Sequence, residues 1–304
     1  MPSVCLPAFA KVNLCLQVLG KRPDGYHELR TIFQSIGLHD TLTLTLQRRP
    51  RIELDVSGDP GLAATPSREN LVYRALDLLR RELRLRSGVR VELEKLIPVG
   101  RGLGGGSSDA AAALRGMLRL TGRKLPAARL IELAASLGAD VPFFLFGGRA
   151  LGVSRGDEIY TLPDLPARSV VVVSPPDIGV STRDAYRWLG QRRPSLRLTK
   201  SGHAPKLWSF CALCWSLQGG DVSNDFEAAV FRRYPRLGRI KRGLLEQGAA
   251  EAALAGSGSA VFALFRSPAQ ARRAAEGFLR DQVFICATLS REEYRRAQQL
   301  RAGA

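Results

Sequence analysis

The stretch "IPVGRGLGGGSSDAAAAL" at 97–114 constrains the fold most, because it joins a strand pattern to a helix pattern through Gly100, Gly102, Gly104, Gly105 and Gly106. Before it, "GVRVELEKLIP" alternates polar and apolar, with Val89, Val91 and Leu93 on one side. Pro98 ends that strand because it has no N–H for a ladder. After the glycines a helix starts near Ser107 or Ser108, whose hydroxyls can cap it, carries Asp109 in its first turn and stops at Thr121-Gly122. A glycine loop entering a helix is an anion site: unpaired N–H groups point outward, and the helix dipole adds about half a positive charge there. Residues 98–108 are therefore expected to cradle phosphate, since a turn alone rarely needs so many glycines together.

Two familiar phosphate chemistries fail on the residues. Gly100, Gly102 and Gly105 satisfy G-x-G-x-x-G, but a dinucleotide site expects an acid about 20 residues on to hold a ribose. The sequence there reads "RKLPAAR", with no acid before Glu132. The mononucleotide loop GxxxxGK[ST] needs a lysine after its last glycine, and Ser107 stands in its place. What remains is a phosphate cradle whose serines could touch phosphate or metal and whose cation comes from elsewhere in the chain.

Around this loop the periodicity alternates between strand and helix. "TLTLTL" at 41–46 and "RIELDV" at 51–56 read as half-buried antiparallel strands separated by a turn. "NLVYRALDLLRREL" places Leu71, Val72, Ala75, Leu76, Leu79 and Leu83 on one helical face, and "PAARLIELAASLG" is a further helix from Pro126 to Gly138. "ADVPFFLFGG" and a strand follow, which sets Asp140 on a short connector. Beyond residue 165 the pattern restarts with the buried-strand run "SVVVVSPP". Helices are then expected at 181–189, 224–233, 236–247 and 268–280, and strands at 249–254, 260–265 and 283–289, with a Gly-Ser turn at 255–259. Residues 191–222 are polar and aperiodic, a long loop or insertion. The fold class is mixed α+β, divided into 1–160 and 161–304.

Composition excludes other classes. No apolar run approaches the roughly 20 residues that span a bilayer, so no membrane partner is expected. Five cysteines, with no export-signal pattern at the N-terminus, point to a reducing, cytoplasmic setting. Cys211 and Cys214 form a C-x-x-C, but no second pair or suitably spaced histidine makes a zinc site of it. The net charge of +17 raises nucleic acid as a partner. The arginines are spread over the chain without a nucleic-acid motif, which suits a basic solvated surface that attracts anionic small molecules.

The chain resembles the GHMP kinases, named for galactokinase, homoserine kinase, mevalonate kinase and phosphomevalonate kinase. "PVGRGLGGGSSDAAA" resembles their central phosphate motif and "LAGSGSAVFALF" at 254–265 their C-terminal glycine motif. "AFAKVNLCLQVLGKRPDGYHELRTIFQSIGLHDTL" at 8–42, "ENLVYRA" at 69–75, "GADVPFFLFGG" at 138–148 and "NDFE" at 224–227 resemble one branch of that family. The resemblance implies a two-domain α+β kinase, with a ribosomal S5 domain 2-like N-terminal half and a ferredoxin-like C-terminal half. It implies ATP-dependent phosphorylation of the 2-hydroxyl on the methylerythritol part of a cytidine diphosphate conjugate, with Mg²⁺ bridging the ATP phosphates. Another small-alcohol kinase of the family stays open, as does a basic nucleotide- or nucleic-acid-binding protein without transfer activity.

By the same resemblance Asp140 is the catalytic aspartate, where the residues alone suggest a cap or turn residue. Lys11 is the lysine that pairs with it, orienting it and offsetting charge on the transferred group. Asn13 shares the face of Lys11 if this is a strand, and could hydrogen-bond the substrate. Tyr26 offers a ring for a pyrimidine and His27 a hydrogen bond to cytosine, while Thr182, with Ser181 and Asp225 beside Asn224, completes the substrate site. For ATP the cradle comprises Pro98, Val99, Gly100, Arg101, Gly102, Leu103, Gly104, Gly105, Gly106, Ser107 and Ser108, with Asn70 and Lys95 for adenine or ribose. The metal ligands are unassigned, Ser107 and Ser108 being candidates. Arg101 departs from the branch, which usually has Gly or Ala; it either contacts phosphate or points to solvent. A monomer or homodimer is expected.

Overall fold

The structure, a computed structural model, describes residues 1–192 and 222–299. The C-x-x-C and almost all of the aperiodic segment lie outside the described residues. Strands β1 (Ser3–Lys21) and β2 (His27–Gln47) form one long antiparallel hairpin across the "RPDG" turn. β3 (Ile52–Ser57) and β4 (Gly88–Glu94) extend it, giving the order β3-β4-β2-β1. The expected antiparallel pairing of 41–46 with 51–56 does not occur: β4 lies between them, antiparallel to β2 and parallel to β3. Period-two alternation fixes which face a residue takes but not which strand is its neighbour. β3 falls at the edge, where its exposed Asp55 suits an unpaired side.

Helices α1 (Pro60–Ala63), α2 (Leu71–Glu82), α3 (Gly105–Thr121), α4 (Ala127–Leu137) and α5 (Val141–Phe146) belong to this half. α2 buries Val72, Ala75, Leu76 and Leu79, as its spacing predicts. α3 buries Ala110 to Leu114 against the sheet. Its alanines and Gly116 let it lie close: a Cβ on Gly116 would stand 2.9 Å from Leu44. β5 (Arg149–Ser154) pairs with β2 and with β6 (Glu158–Thr161).

The second sheet has the order β11-β7-β10-β9, from β7 (Ser169–Ser174), β9 (Glu251–Leu254), β10 (Val261–Phe265) and β11 (Gln282–Ala287). Its strand pairs are all antiparallel, and Val170 to Val173 are fully buried, so this half is ferredoxin-like. Between β7 and β9, α6 (Thr182–Arg192) and two helices, Glu227–Arg233 and Pro235–Glu246, are connected to it. Asn224 lies not in the first of these but in β8 (Ser223–Asn224), which pairs with β1 of the first sheet. A last helix, Arg291–Gln299, follows; its Tyr294 is buried and donates to the Phe144 carbonyl at 2.7 Å, covering α5.

Candidate active site

The register of β1 against β2 shifts on either side of Lys11 and Asn13. One consequence is that the Lys11 amide leaves the ladder and donates to the Leu103 carbonyl at 3.0 Å, tying the glycine loop to β1. The side chains of Lys11 and Asn13 do share a face: the ammonium donates to Asn13 Oδ1 at 2.8 Å, and Asn13 Nδ2 donates to Thr31 Oγ1 at 2.7 Å. Lys11 is buried and stands 5.4 Å from the centre of the Phe33 ring. Asp140 opens α5, yet its carboxylate makes no capping hydrogen bond there. Instead Oδ2 lies 3.4 Å from Lys11 Nζ, and the aspartate lines the cleft. A buried cation anchored on one side by an amide, with its free side toward an accessible carboxylate, positions an acid–base group against incoming charge.

That cleft has a volume of about 440 Å³ and takes in residues 97–107 together with Lys11, Asn13, Asn70, Asp140, Thr182 and Tyr186. Its floor corrects the expected helix start: α3 begins at Gly105 after Gly104 in the left-handed region at φ 75°, and neither Ser107 nor Ser108 caps it. Without a side-chain cap, the first amides of α3 are left for an anion. Ser108 is buried and its hydroxyl has no hydrogen-bond partner.

The glycines divide by purpose. A Cβ on Gly100 meets nothing within 4 Å, but one on Gly102 would fall 1.9 Å from the Ala255 carbonyl oxygen. One on Gly104 would fall 2.8 Å from the Phe144 ring. Gly102 is therefore glycine because the C-terminal loop 255–259 lies against it. Asn224 fixes that loop by donating to the carbonyls of Leu254 and Gly256 at 2.8 and 2.7 Å. Gly102→Ala adds that clash to a φ of 82°, where left-handed strain alone costs about 1–3 kcal/mol. The variant is expected to melt lower and to lose affinity for an ATP analogue, as measured by thermal unfolding and calorimetry.

Lys95, expected at the nucleotide, lines the cleft and also holds a buried ion network. Its buried ammonium bridges Asp40 and Asp109, the latter at 2.8 Å, beneath the first turn of α3. Asp40 also accepts from the Leu96 and Ile97 amides at 2.6 and 2.8 Å. Burial, opposed by Lys95 and reinforced by Asp40, pushes the Asp109 carboxyl up to about 8. Asn70 caps α2 by accepting from Val72 N at 2.8 Å and still lines the cleft.

Elsewhere on the cleft wall, Tyr186 stacks on His27, which is not itself among the residues of the wall, with ring centres 4.3 Å apart and planes 17° from parallel. Tyr186 in turn meets Phe226 edge to face at 4.9 Å. Burial first, and then Lys21, lowers the His27 pKa, which favours the neutral ring. Tyr26 is 56 % exposed and lies under the Arg155 guanidinium at 4.9 Å, not among the residues of the cleft wall. Tyr186, an aromatic four residues past Thr182 that sequence reasoning passed over, is the tyrosine that lines the cleft. Thr182 Oγ1 meets Ser257 Oγ at 3.0 Å, joining α6 to the C-terminal loop. Asp225 accepts from Val18 N at 2.9 Å and ties β8 to β1. Among the described residues no cluster of His, Cys, Asp and Glu could hold a metal, and no helix is long and apolar enough to cross a membrane.

The GHMP kinases N terminal domain matches residues 70–148, and the GHMP kinases C terminal domain matches residues 209–283. A 4-diphosphocytidyl-2-C-methyl-D-erythritol kinase of Solibacter usitatus is 45% identical over 95% of this chain and 90% of its own length. That of Pelotomaculum thermopropionicum is 41% identical over 93% and 97%. A crystal structure of 4-(cytidine 5'-diphospho)-2C-methyl-D-erythritol kinase superposes with a TM-score of 0.76 at 35% identity, covering 93% of this chain and 98% of that one. Homoserine kinase from Cytophaga hutchinsonii, at 19% identity and a TM-score of 0.70, shares the fold. Matches to both GHMP domains, and relatives of this identity and coverage, establish that the chain belongs to the GHMP kinases, in the branch of the 4-diphosphocytidyl-2-C-methyl-D-erythritol kinases.

Proposed function

We propose that the protein transfers the γ-phosphate of ATP to the 2-hydroxyl of 4-diphosphocytidyl-2-C-methyl-D-erythritol, in the cytoplasm, as a step of non-mevalonate isoprenoid precursor synthesis. The observation that carries the reading is the Lys11–Asp140 pair at 3.4 Å on the wall of the cleft floored by the glycine loop. Residues 1–160 supply the ATP site, and 161–304 complete the substrate site.

Phosphoryl transfer goes through a loose transition state, so the protein mainly positions groups and supplies charge. The amides of Gly105 to Ser107 and the helix dipole hold the phosphates. Asp140 accepts the proton of the attacking hydroxyl, and Lys11, fixed by Asn13, offsets the charge on the transferred group. Mg²⁺ fits this donor set: an ion carried by a triphosphate takes few protein ligands, and the unpartnered Ser108 hydroxyl, with Ser107 beside it, would hold it. When bound, it neutralises phosphate charge. His27 and Tyr186 take the cytosine, one ring parting from the other to admit it.

Stacking a base on an aromatic side chain contributes about 1–3 kcal/mol. Tyr186→Ala is therefore expected to raise the KM for the cytidyl substrate by about tenfold or more, while the KM for ATP stays within about twofold. CDP should compete with the substrate in the wild type and compete weakly in the variant. Indifference of the wild-type enzyme to CDP would exclude a cytidine-reading site and leave another small-alcohol kinase.

A further inference from the structure

Arg101 stands within the phosphate loop, but its guanidinium leaves the loop and crosses to the C-terminal half. Nη1 donates to Ser259 Oγ at 2.9 Å, and Nη2 donates to the Pro176 carbonyl at 3.0 Å. Its main chain makes the same crossing, the Arg101 carbonyl accepting from Ala260 N at 3.2 Å. Ser259 is fully buried and donates in turn to the Ile178 carbonyl, so the receptor for the guanidinium is rigid. One residue on, Gly102 presses against the Ala255 carbonyl. The loop that must wrap a triphosphate is thus held at one point by a side chain, a main-chain bond and a close contact, all reaching the C-terminal half.

Neither expected role accounts for this. A phosphate ligand would have its guanidinium free for the cleft, and a solvent-pointing arginine would have no fixed partners. A glycine-rich loop loses much conformational freedom on ordering, and a loop ordered in advance spares the ligand that cost. We propose that Arg101 is a positioning residue: by latching the phosphate loop to Ser259 and Pro176 it preforms the triphosphate cradle before ATP arrives. The inference rests on the ATP reading above.

The test is a double-mutant cycle on the full chain, with calorimetry of a non-hydrolysable ATP analogue plus Mg²⁺. Arg101→Ala is expected to weaken analogue binding about tenfold, the factor that about 1.4 kcal/mol of lost preorganisation gives. Ser259→Ala should weaken it in the same direction, and the double variant no further than Arg101→Ala alone, because both remove one latch. In steady state the KM for ATP should rise in each single variant while the KM for the cytidyl substrate stays within about twofold, a split that general destabilisation does not give. Unchanged affinity in Arg101→Ala overturns the proposal. So does unchanged affinity in Ser259→Ala beside a loss in Arg101→Ala, the pattern of a direct phosphate contact. Additive losses overturn it too. Failure of the wild-type protein to bind the analogue at all would instead remove the ATP reading.

Discussion

Asp140→Asn is expected to lower kcat by about a hundredfold to ten-thousandfold, the range that a positioned general base contributes. The substitution keeps the side chain's size and its place beside Lys11 and removes the capacity to take a proton. Asp140 belongs to no capping bond and no described ion pair but the one with Lys11, so the fold has little reason to notice. Thermal unfolding should match the wild type, and binding of an ATP analogue should be retained, because the glycine loop is held by β1 and the C-terminal loop and not by the carboxylate. Rapid-quench measurement of the transfer step separates the chemistry from product release. Turnover near the wild-type value would remove Asp140 from the reaction.

Lys95→Met should have its large effect on stability. The Lys95 side chain is 3% exposed, and the Asp40 and Asp109 side chains that its ammonium bridges are 0% and 2% exposed. Removing the cation leaves two carboxyls facing each other in the interior, a change that typically costs about 3–5 kcal/mol. That is a large share of the roughly 5–15 kcal/mol by which a domain is stable. The pH dependence has a definite sign. Asp109 is raised in the folded chain, so its contribution to stability is complete below its ordinary 3.8 and is lost as pH climbs through about 8. Without Lys95 the carboxyl rises further, so the two proteins lose stability in parallel between pH 5 and about 8, and the variant's deficit should widen as pH climbs beyond about 8. Denaturant melts at pH 7 and pH 9 check this. A deficit that does not widen above pH 8 would mean that lost packing, not buried charge, is the cause.

Parts of this triad were legible in the sequence. The alternation that puts Val89, Val91 and Leu93 inward continues to Lys95, and Asp40 stands in step with the inward Leu42 and Leu44. Read to its end, that period places a lysine and an aspartate in the interior, where each needs an opposite charge. The glycine loop, its strand and its helix were equally legible, because turn chemistry and periodicity are local. Strand order was not, and β4 came between segments that read as a hairpin. The meeting of Lys11 with Asp140 was not derivable from spacing either; resemblance supplied it, and the register shifts around Lys11 give its physical cause. Gly102, which the loop's composition assigns to phosphate, is shaped by another backbone, a long-range packing demand that no local pattern encodes.

The most direct test of the account is phosphorus NMR of the purified protein with ATP, Mg²⁺ and 4-diphosphocytidyl-2-C-methyl-D-erythritol. A new phosphomonoester resonance should grow in step with ADP, one for one, in the wild type and stay absent over the same interval with Asp140→Asn. ADP formed without that resonance, or the resonance formed equally by Asp140→Asn, would contradict it.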